Sequence, residues 1–278
     1  MTLNWLQTLL YGFLGGLTDI LPVSSYAHKT LLLKVFGVRG NTELLDLMIH
    51  LAVLGGLYFC CRGHLVRFSR AKALARIPKN KRKRPLDTRT LLDISLLRTM
   101  LVPIILGLIL SRFASALQGK LVLLAAFLFL NGTILYVPQF LPTGNKDART
   151  LSRVDGLLMG LGGGVAVLPG ISAVGMMTSV GSICGVERSY GLTSALLADM
   201  VMTAGLIIVD FLAVVAAGLD GFGFMIFLRF LCASVLAFGG TVLGIWTLRA
   251  ITKEHSLAAF GLYCFGLSLF TFILNLMA

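Results

Sequence analysis

Apolar runs of membrane-crossing length recur along nearly the whole chain, and they limit its fold more tightly than any motif does. Residues 45–61, 91–112, 119–141, 191–217, 222–248 and 257–277 are each poor in charge, and a helix of about 20 such residues crosses a bilayer. In hydrocarbon every backbone N–H and C=O must be satisfied within the protein, which leaves helices or a closed barrel. Uninterrupted runs of this length read as helices. Composition agrees, with 57% hydrophobic and only 13% charged residues, far from the balance of a soluble domain. The expected fold is all-α and polytopic: about six full transmembrane helices in a single membrane domain, 1–278.

The formal net charge is +12, and much of it lies in Arg62–Arg89, which contains KNKRKRP. Beside apolar spans, such a segment marks a cytoplasmic loop, here 62–90, that touches anionic lipid. Charge placed this way does not point to nucleic acid. The five cysteines, Cys60, Cys61, Cys184, Cys232 and Cys264, lie within or at the ends of apolar stretches without metal-type spacing. They read as small buried hydrophobes. The start, MTLNWLQTLL, has no basic n-region, so a cleaved signal peptide is not expected.

Two places break the apolar pattern. In Gly15–His28, GGLTDILPVSSYAH, a proline, two serines, a carboxylate and an imidazole sit inside a long apolar run. Ionisable groups at membrane depth are costly and default to a functional reading. Residues 3–21 and His28–Val38 flank this break, each marginal for a full crossing, so a re-entrant hairpin is expected. Residues 155–187 repeat the pattern with a break at Pro169–Gly170 and close at Arg188. Aligning Gly15-Gly16, Leu21-Pro22 and Ser25 on Gly162-Gly163, Leu168-Pro169 and Ser172 needs no gap. One hairpin then enters from outside and the other from the cytoplasm, giving an inverted repeat with halves 1–141 and 150–278 and the C-terminus outside. Broken helices that meet near the midplane present half-helix N-termini to anions. Exposed amides around Pro22–Ser25 and Pro169–Ser172 would serve as donors.

The stretch LTDILPVSSYAH resembles the LTEFLPVSSTGH motif of the bacterial undecaprenyl-diphosphate phosphatases, and LPGISAVG at Leu168–Gly175 resembles their PGxSRSG motif. The Asp46–His50 region, Gly185–Arg188 and the overall length correspond too. The resemblance implies an integral enzyme of the bacterial plasma membrane, often a homodimer, whose two hairpins form one site. Such an enzyme removes the terminal phosphate of a polyprenyl diphosphate, recycles the cell-wall carrier lipid and confers bacitracin resistance. Carried over, Asp19, Ser25, His28 and Ser172 are the candidate catalytic residues. Ser24, Pro22, Gly170, Lys29 and Arg188 are the candidate substrate-binding ones. A hydroxyl can attack or bind phosphate, an imidazole can move its proton, and a carboxylate can orient it or hold a cation. No metal ligand is assigned; a bridging Ca²⁺ or Mg²⁺ is allowed by the chemistry and by the resemblance.

Two departures stand out: Gly15 replaces the first-motif glutamate, and Ala173 replaces the second-motif arginine, the fork that would grip phosphate. Lys29 and Arg188 are the cations available instead. A second functional reading follows, in which the cavity moves a polyprenyl phosphate or another anionic lipid across the bilayer without hydrolysis. Plainer structural readings stand beside each residue. The serines could bond back to carbonyls freed by the prolines, His28 could be a satisfied interfacial histidine, and Lys29 could snorkel to a headgroup. Asp46 and His50, four residues apart, could be an ordinary hydrogen-bonded pair. Asp199 and Asp210 could couple to protons or pair with a cation of another span. The glycine clusters read as close helix-packing points, since no P-loop lysine follows them.

Overall fold

The computed structural model describes residues 3–38, 42–82, 84–218 and 223–277. Its helices are α1 (Trp5–Ile20), α2 (Ser25–Val35), α3 (Glu43–Arg76), α4 (Thr88–Ala114), α5 (Leu121–Tyr136), α6 (Arg153–Gly164), α7 (Ala173–Ile183), α8 (Arg188–Ala217), α9 (Phe224–Glu254) and α10 (Ala258–Met277). Among the described residues, six of them (α3, α4, α5, α8, α9 and α10) are long and apolar enough to cross a membrane. The other four are too short for a full crossing, which takes about 20 residues. They come in two pairs, α1–α2 and α6–α7, each packed together across a break, an arrangement compatible with re-entrant hairpins.

Both pairs open in the same way. The Asn4 side chain accepts from the Gln7 amide while Gln7 accepts from the Asn4 amide, and Ser152 and Asp155 form the same reciprocal box. Each box fixes where an apolar helix begins. The packing partners also correspond: α1 lies on α9 as α6 lies on α4, while α3 packs on α8 and α5 on α10. Small residues permit the close approach in both halves. A side chain at Gly16 would strike the Ala237 backbone and one at Gly160 the Met100 backbone, as expected where packing rather than the hydrophobic effect joins helices.

One expectation is corrected. The basic segment predicted as a loop from residue 62 is helical as far as Arg76, so α3 runs for 34 residues. Its lysines, arginines, alanines and leucines are good helix formers, and their charged heads reach water without breaking the backbone ladder. The connection to α4 is correspondingly short.

Candidate functional site

The two breaks meet. Helix α1 ends at Ile20, and the chain turns through Leu21–Ser24, with the Val23 amide donating to the Leu21 carbonyl at 2.7 Å. Helix α6 passes through a short tight turn, Val165–Val167, into Leu168–Ser172. Proline forbids continuation of the helix ladder at each point, and a serine then caps the next helix. Ser24 Oγ accepts from the Ala27 amide, and Ser172 Oγ accepts from the Gly175 amide at 3.3 Å. Across the junction, the Ser172 hydroxyl donates to the Leu21 carbonyl at 3.2 Å. A side chain at Gly175 would come within 2.5 Å of Pro22 Cβ.

A residue that the sequence reading missed holds this junction. Asn131, fully buried on α5, donates through Nδ2 to the Pro22 carbonyl at 3.2 Å and accepts at Oδ1 from the Ser172 amide at 3.0 Å. Cys264 of α10 adds a weak bond to the same Pro22 carbonyl. A lone amide in an otherwise apolar span was the available signal: burying asparagine in hydrocarbon costs free energy unless its hydrogen bonds are met.

On the α1 side of the junction the site is ionic. The Lys29 ammonium lies 2.7 Å from Asp46 Oδ1. The Tyr11 hydroxyl donates to Asp46 at 3.0 Å, and the Thr42 hydroxyl donates to its other oxygen at 2.7 Å. Lys29 is therefore not snorkelling to a headgroup; a carboxylate on α3 holds it inside. Gly15 sits beside it. A side chain there would contact Ile49 Cγ2 at 3.3 Å and Lys29 Cδ at 3.7 Å, and the Gly15 carbonyl accepts from the Ser25 hydroxyl at 3.2 Å. The locus of the missing glutamate is thus lined by Ser25 and Lys29. Asp19, one turn further along α1, has Lys29, His50, Asp210 and Asp199 as electrostatic neighbours.

Other expected contacts divide differently. Asp46 and His50 do not bond each other: His50 Nδ1 donates to Asp210 Oδ2 at 2.5 Å, tying α3 to α8. Asp210 thus has a partner, though a histidine rather than a lysine or arginine. Asp199 is buried, and its Oδ2 has no hydrogen-bond partner among the described residues. His28 Nδ1 donates to the Ser24 carbonyl at 2.8 Å, which leaves Nε2 to accept from the Tyr263 hydroxyl at 2.7 Å. The two rings lie nearly parallel, 6° apart, and Tyr263 is half exposed. Gly170, at φ 103°, backs onto α5 near the Leu124 carbonyl. Arg188 opens α8, beyond the far end of α7 from Ser172, in a small recess with Ser182 and His255. It is not brought to the junction.

Among the described residues, no group of three His, Cys, Asp or Glu side chains is placed to hold a metal ion. Asp46 is already neutralised by Lys29, so Asp19 is the carboxylate at this junction that a divalent cation would use. A Mg²⁺ ion that enters with a diphosphate needs no more than one or two protein carboxylates.

The chain was compared with known proteins. The family model described as Bacitracin resistance protein BacA matches residues 8–270. A protein of Desulforapulum autotrophicum is 30% identical over 98% of this chain and 99% of its own, and one of Methanobrevibacter smithii is 28% identical over 96% of both. Both carry the name undecaprenyl-diphosphatase, as does a Thermosipho melanesiensis protein at 24% identity. With its paired breaks, six helices of membrane-crossing length among the described residues and a match over nearly its whole length, the chain belongs to the family described as Bacitracin resistance protein BacA.

Proposed function

We propose that this chain is an integral-membrane undecaprenyl-diphosphatase that hydrolyses the terminal phosphate of a polyprenyl diphosphate and so returns the carrier lipid used in cell-wall synthesis. The observation that carries the reading is the gathering of Ser25, Lys29 and Asp19 around Gly15, beside a junction of two broken helices. The relatives' shared name supports it.

In this reading the diphosphate enters where a glutamate side chain would otherwise stand. Lys29 is the cation that would meet the phosphate in place of the missing arginine, by sharing its ammonium between the phosphate and Asp46, which Tyr11 and Thr42 hold in turn. A single ammonium is a point charge rather than a fork, so turnover should be modest. Ser25 exchanges its bond to the Gly15 carbonyl for one to phosphate, as nucleophile or as donor. Ser24 and Ser172 hold the amides at the starts of α2 and α7 toward the anion. His28, whose Nε2 faces the half-exposed Tyr263 hydroxyl, is the group placed to exchange a proton with solvent. A divalent cation, Mg²⁺ or Ca²⁺, would screen the phosphates and use Asp19. The two broken pairs are read as an inverted repeat of 1–141 and 150–278, supported by the corresponding packing partners. The basic end of α3 supports reading that face as the cytoplasmic one of a bacterial plasma membrane, with the C-terminus outside. A homodimer is the assembly that the family resemblance implies.

The test is phosphate release from undecaprenyl or farnesyl diphosphate by purified protein, with and without Mg²⁺ or Ca²⁺. Release that Ser25→Ala strongly reduces is expected. Absence of release under every condition would overturn the reading.

A further inference from the structure

Two histidines stand near the junction, and their ring nitrogens are committed differently. In His28 both are taken: Nδ1 donates to the Ser24 carbonyl and Nε2 accepts from the Tyr263 hydroxyl. In His50 one is taken. Its Nδ1 donates to Asp210 Oδ2 at 2.5 Å, and among the described residues its Nε2 makes no hydrogen bond. An ionised carboxylate can only accept. Asp210 therefore keeps the ring proton on Nδ1 and leaves the lone pair on Nε2. A ring that served only to tie α3 to α8 would still need a partner for its second nitrogen at membrane depth, where an unmet polar group is costly. The His50 side chain is 11% accessible, so the ring is not sealed off.

The position of His50 suits a free lone pair. Helix α3 puts it one turn beyond Asp46, the carboxylate that holds Lys29, and directly after Ile49, whose Cγ2 borders the space beside Gly15. The charged groups around the ring come from four helices: Asp19 from α1, Lys29 from α2, Asp46 from α3 and Asp210 from α8. Two of these carboxylates are already bonded, Asp46 to Lys29, Tyr11 and Thr42, and Asp210 to His50 itself. His50 Nε2 is thus the uncommitted proton acceptor of an imidazole in this group, beside the position where the diphosphate is proposed to enter.

We infer that His50 is a catalytic residue of the hydrolysis proposed above, its Nε2 taking a proton from the attacking water, and that Asp210 is its positioning residue. The inference rests on that reading of the site. The water oxygen bonds to the terminal phosphorus as the bond from this phosphorus to the bridging oxygen breaks. That electron pair stays on the departing polyprenyl phosphate. One water proton passes to Nε2, and the other remains on the inorganic phosphate released. Ser25 and Lys29 hold phosphate oxygens meanwhile, and His28 keeps the exchange with solvent beside Tyr263. A carboxylate bonded to Nδ1 is the arrangement that holds a general-base imidazole in one tautomer and one orientation. Proton transfer by such a group is worth about 10²–10⁴ in rate.

Substitution at Nε2 alone tests this role. His50→Asn keeps an amide N–H where Nδ1 stood, so it preserves the bond to Asp210 and deletes Nε2. It should lower kcat for phosphate release from farnesyl diphosphate about a hundredfold or more, with KM and Tm nearly unchanged. Asp210→Asn should lower kcat with KM held, and Asp210→Glu should recover part of the loss by restoring a carboxylate. If His50→Asn releases phosphate at the wild-type rate, the inference is overturned and hydrolysis stands. If the wild-type protein releases none, both fall. A labelling measurement on the unaltered protein decides the case in which a variant fails to fold. Diethyl pyrocarbonate acylates imidazole nitrogens that carry a free lone pair, and adducts are mapped by mass spectrometry with the exposed His255 as control. His50 should be labelled, and a methylene-bridged farnesyl diphosphonate at about ten times its Kd should slow that labelling about tenfold without protecting His255. No adduct on His50, or labelling that the diphosphonate does not slow, also overturns the inference.

Discussion

The two breaks are built alike and equipped differently. Each has proline after leucine, a serine cap and an amide-rich helix start, yet only the first carries ionic groups: Asp19, Lys29 and Asp46 gather there. The second contributes Ser172 and Ala173 to the junction and no charge. Their backbones differ too. In the first break the left-handed position falls on Ser24 at φ 65°, in the second on Gly170 at φ 103°. Serine in that region costs on the order of 1–3 kcal/mol and persists only where surrounding structure imposes it. Charge and backbone strain are thus concentrated at the first break, while the second contributes a hydroxyl and main-chain groups.

The sharpest way to break this comparison is to remove the charge. Lys29→Met should lower phosphate release by about 10²–10³, the usual cost of losing one electrostatic contact to the transition state. It should also destabilise the fold by about 3–5 kcal/mol by stranding Asp46. The double variant Lys29→Met with Asp46→Leu should recover thermal stability but not turnover, separating the two roles. Next comes charging the second half. Ala173→Arg should raise kcat/KM about tenfold or more and make Lys29→Met milder, because a fork then shares the phosphate. No gain in steady-state assays would mean that Lys29 already suffices.

Smaller effects test the frame. Asn131→Leu leaves the buried Ser172 amide without a partner, at about 1–3 kcal/mol, and the Pro22 carbonyl with only the weak Cys264 bond, which should lower the Tm in detergent. Gly170→Ala should cost more than about 1 kcal/mol, since alanine resists positive φ and would press on the Leu124 carbonyl at 2.9 Å. Ser24→Gly should change stability least, by a few tenths of a kcal/mol, because relief of strain offsets the lost cap. Equal responses at these two positions would erase the distinction between the breaks.

The helices, the two breaks and their correspondence were legible because hydrophobic run length and proline act locally. So was the position of Ser24, Ser25 and Ser172 at the breaks, where Ser24 and Ser172 cap helices and Ser25 and Ser172 bond back to backbone carbonyls, as the plainer reading of the serines has it. The pairing of Lys29 with Asp46, and of His50 with Asp210, was not legible. Those contacts span 17 and 160 residues of chain, and only the packing of the α1–α2 pair on α3, and of α3 on α8, decides which acid meets which base. The i, i+4 spacing of Asp46 and His50 misled for that reason: both side chains find better partners off their own helix. Asn131, Tyr11 and Tyr263 escaped notice because each looks like an ordinary member of its span until the junction is assembled. Residue 62 was too early an end for α3, since leaving the bilayer does not require leaving the helix.

The tie between the breaks runs largely through main-chain atoms: the Leu21 and Pro22 carbonyls and the Ser172 amide, closed by Ser172 and by Asn131 from a neighbouring helix. The side chains proposed to meet phosphate on the α1 side, Ser25, Lys29 and Asp19, are not part of that tie. Positions 15 and 173, where the motifs this chain resembles carry glutamate and arginine, lie outside the tie, so a change there leaves the architecture that joins the two breaks intact. Groups at positions such as 15 and 173 can therefore be lost or regained in separate steps that change rate rather than folding, whereas Lys29, tied to Asp46, cannot be lost so freely.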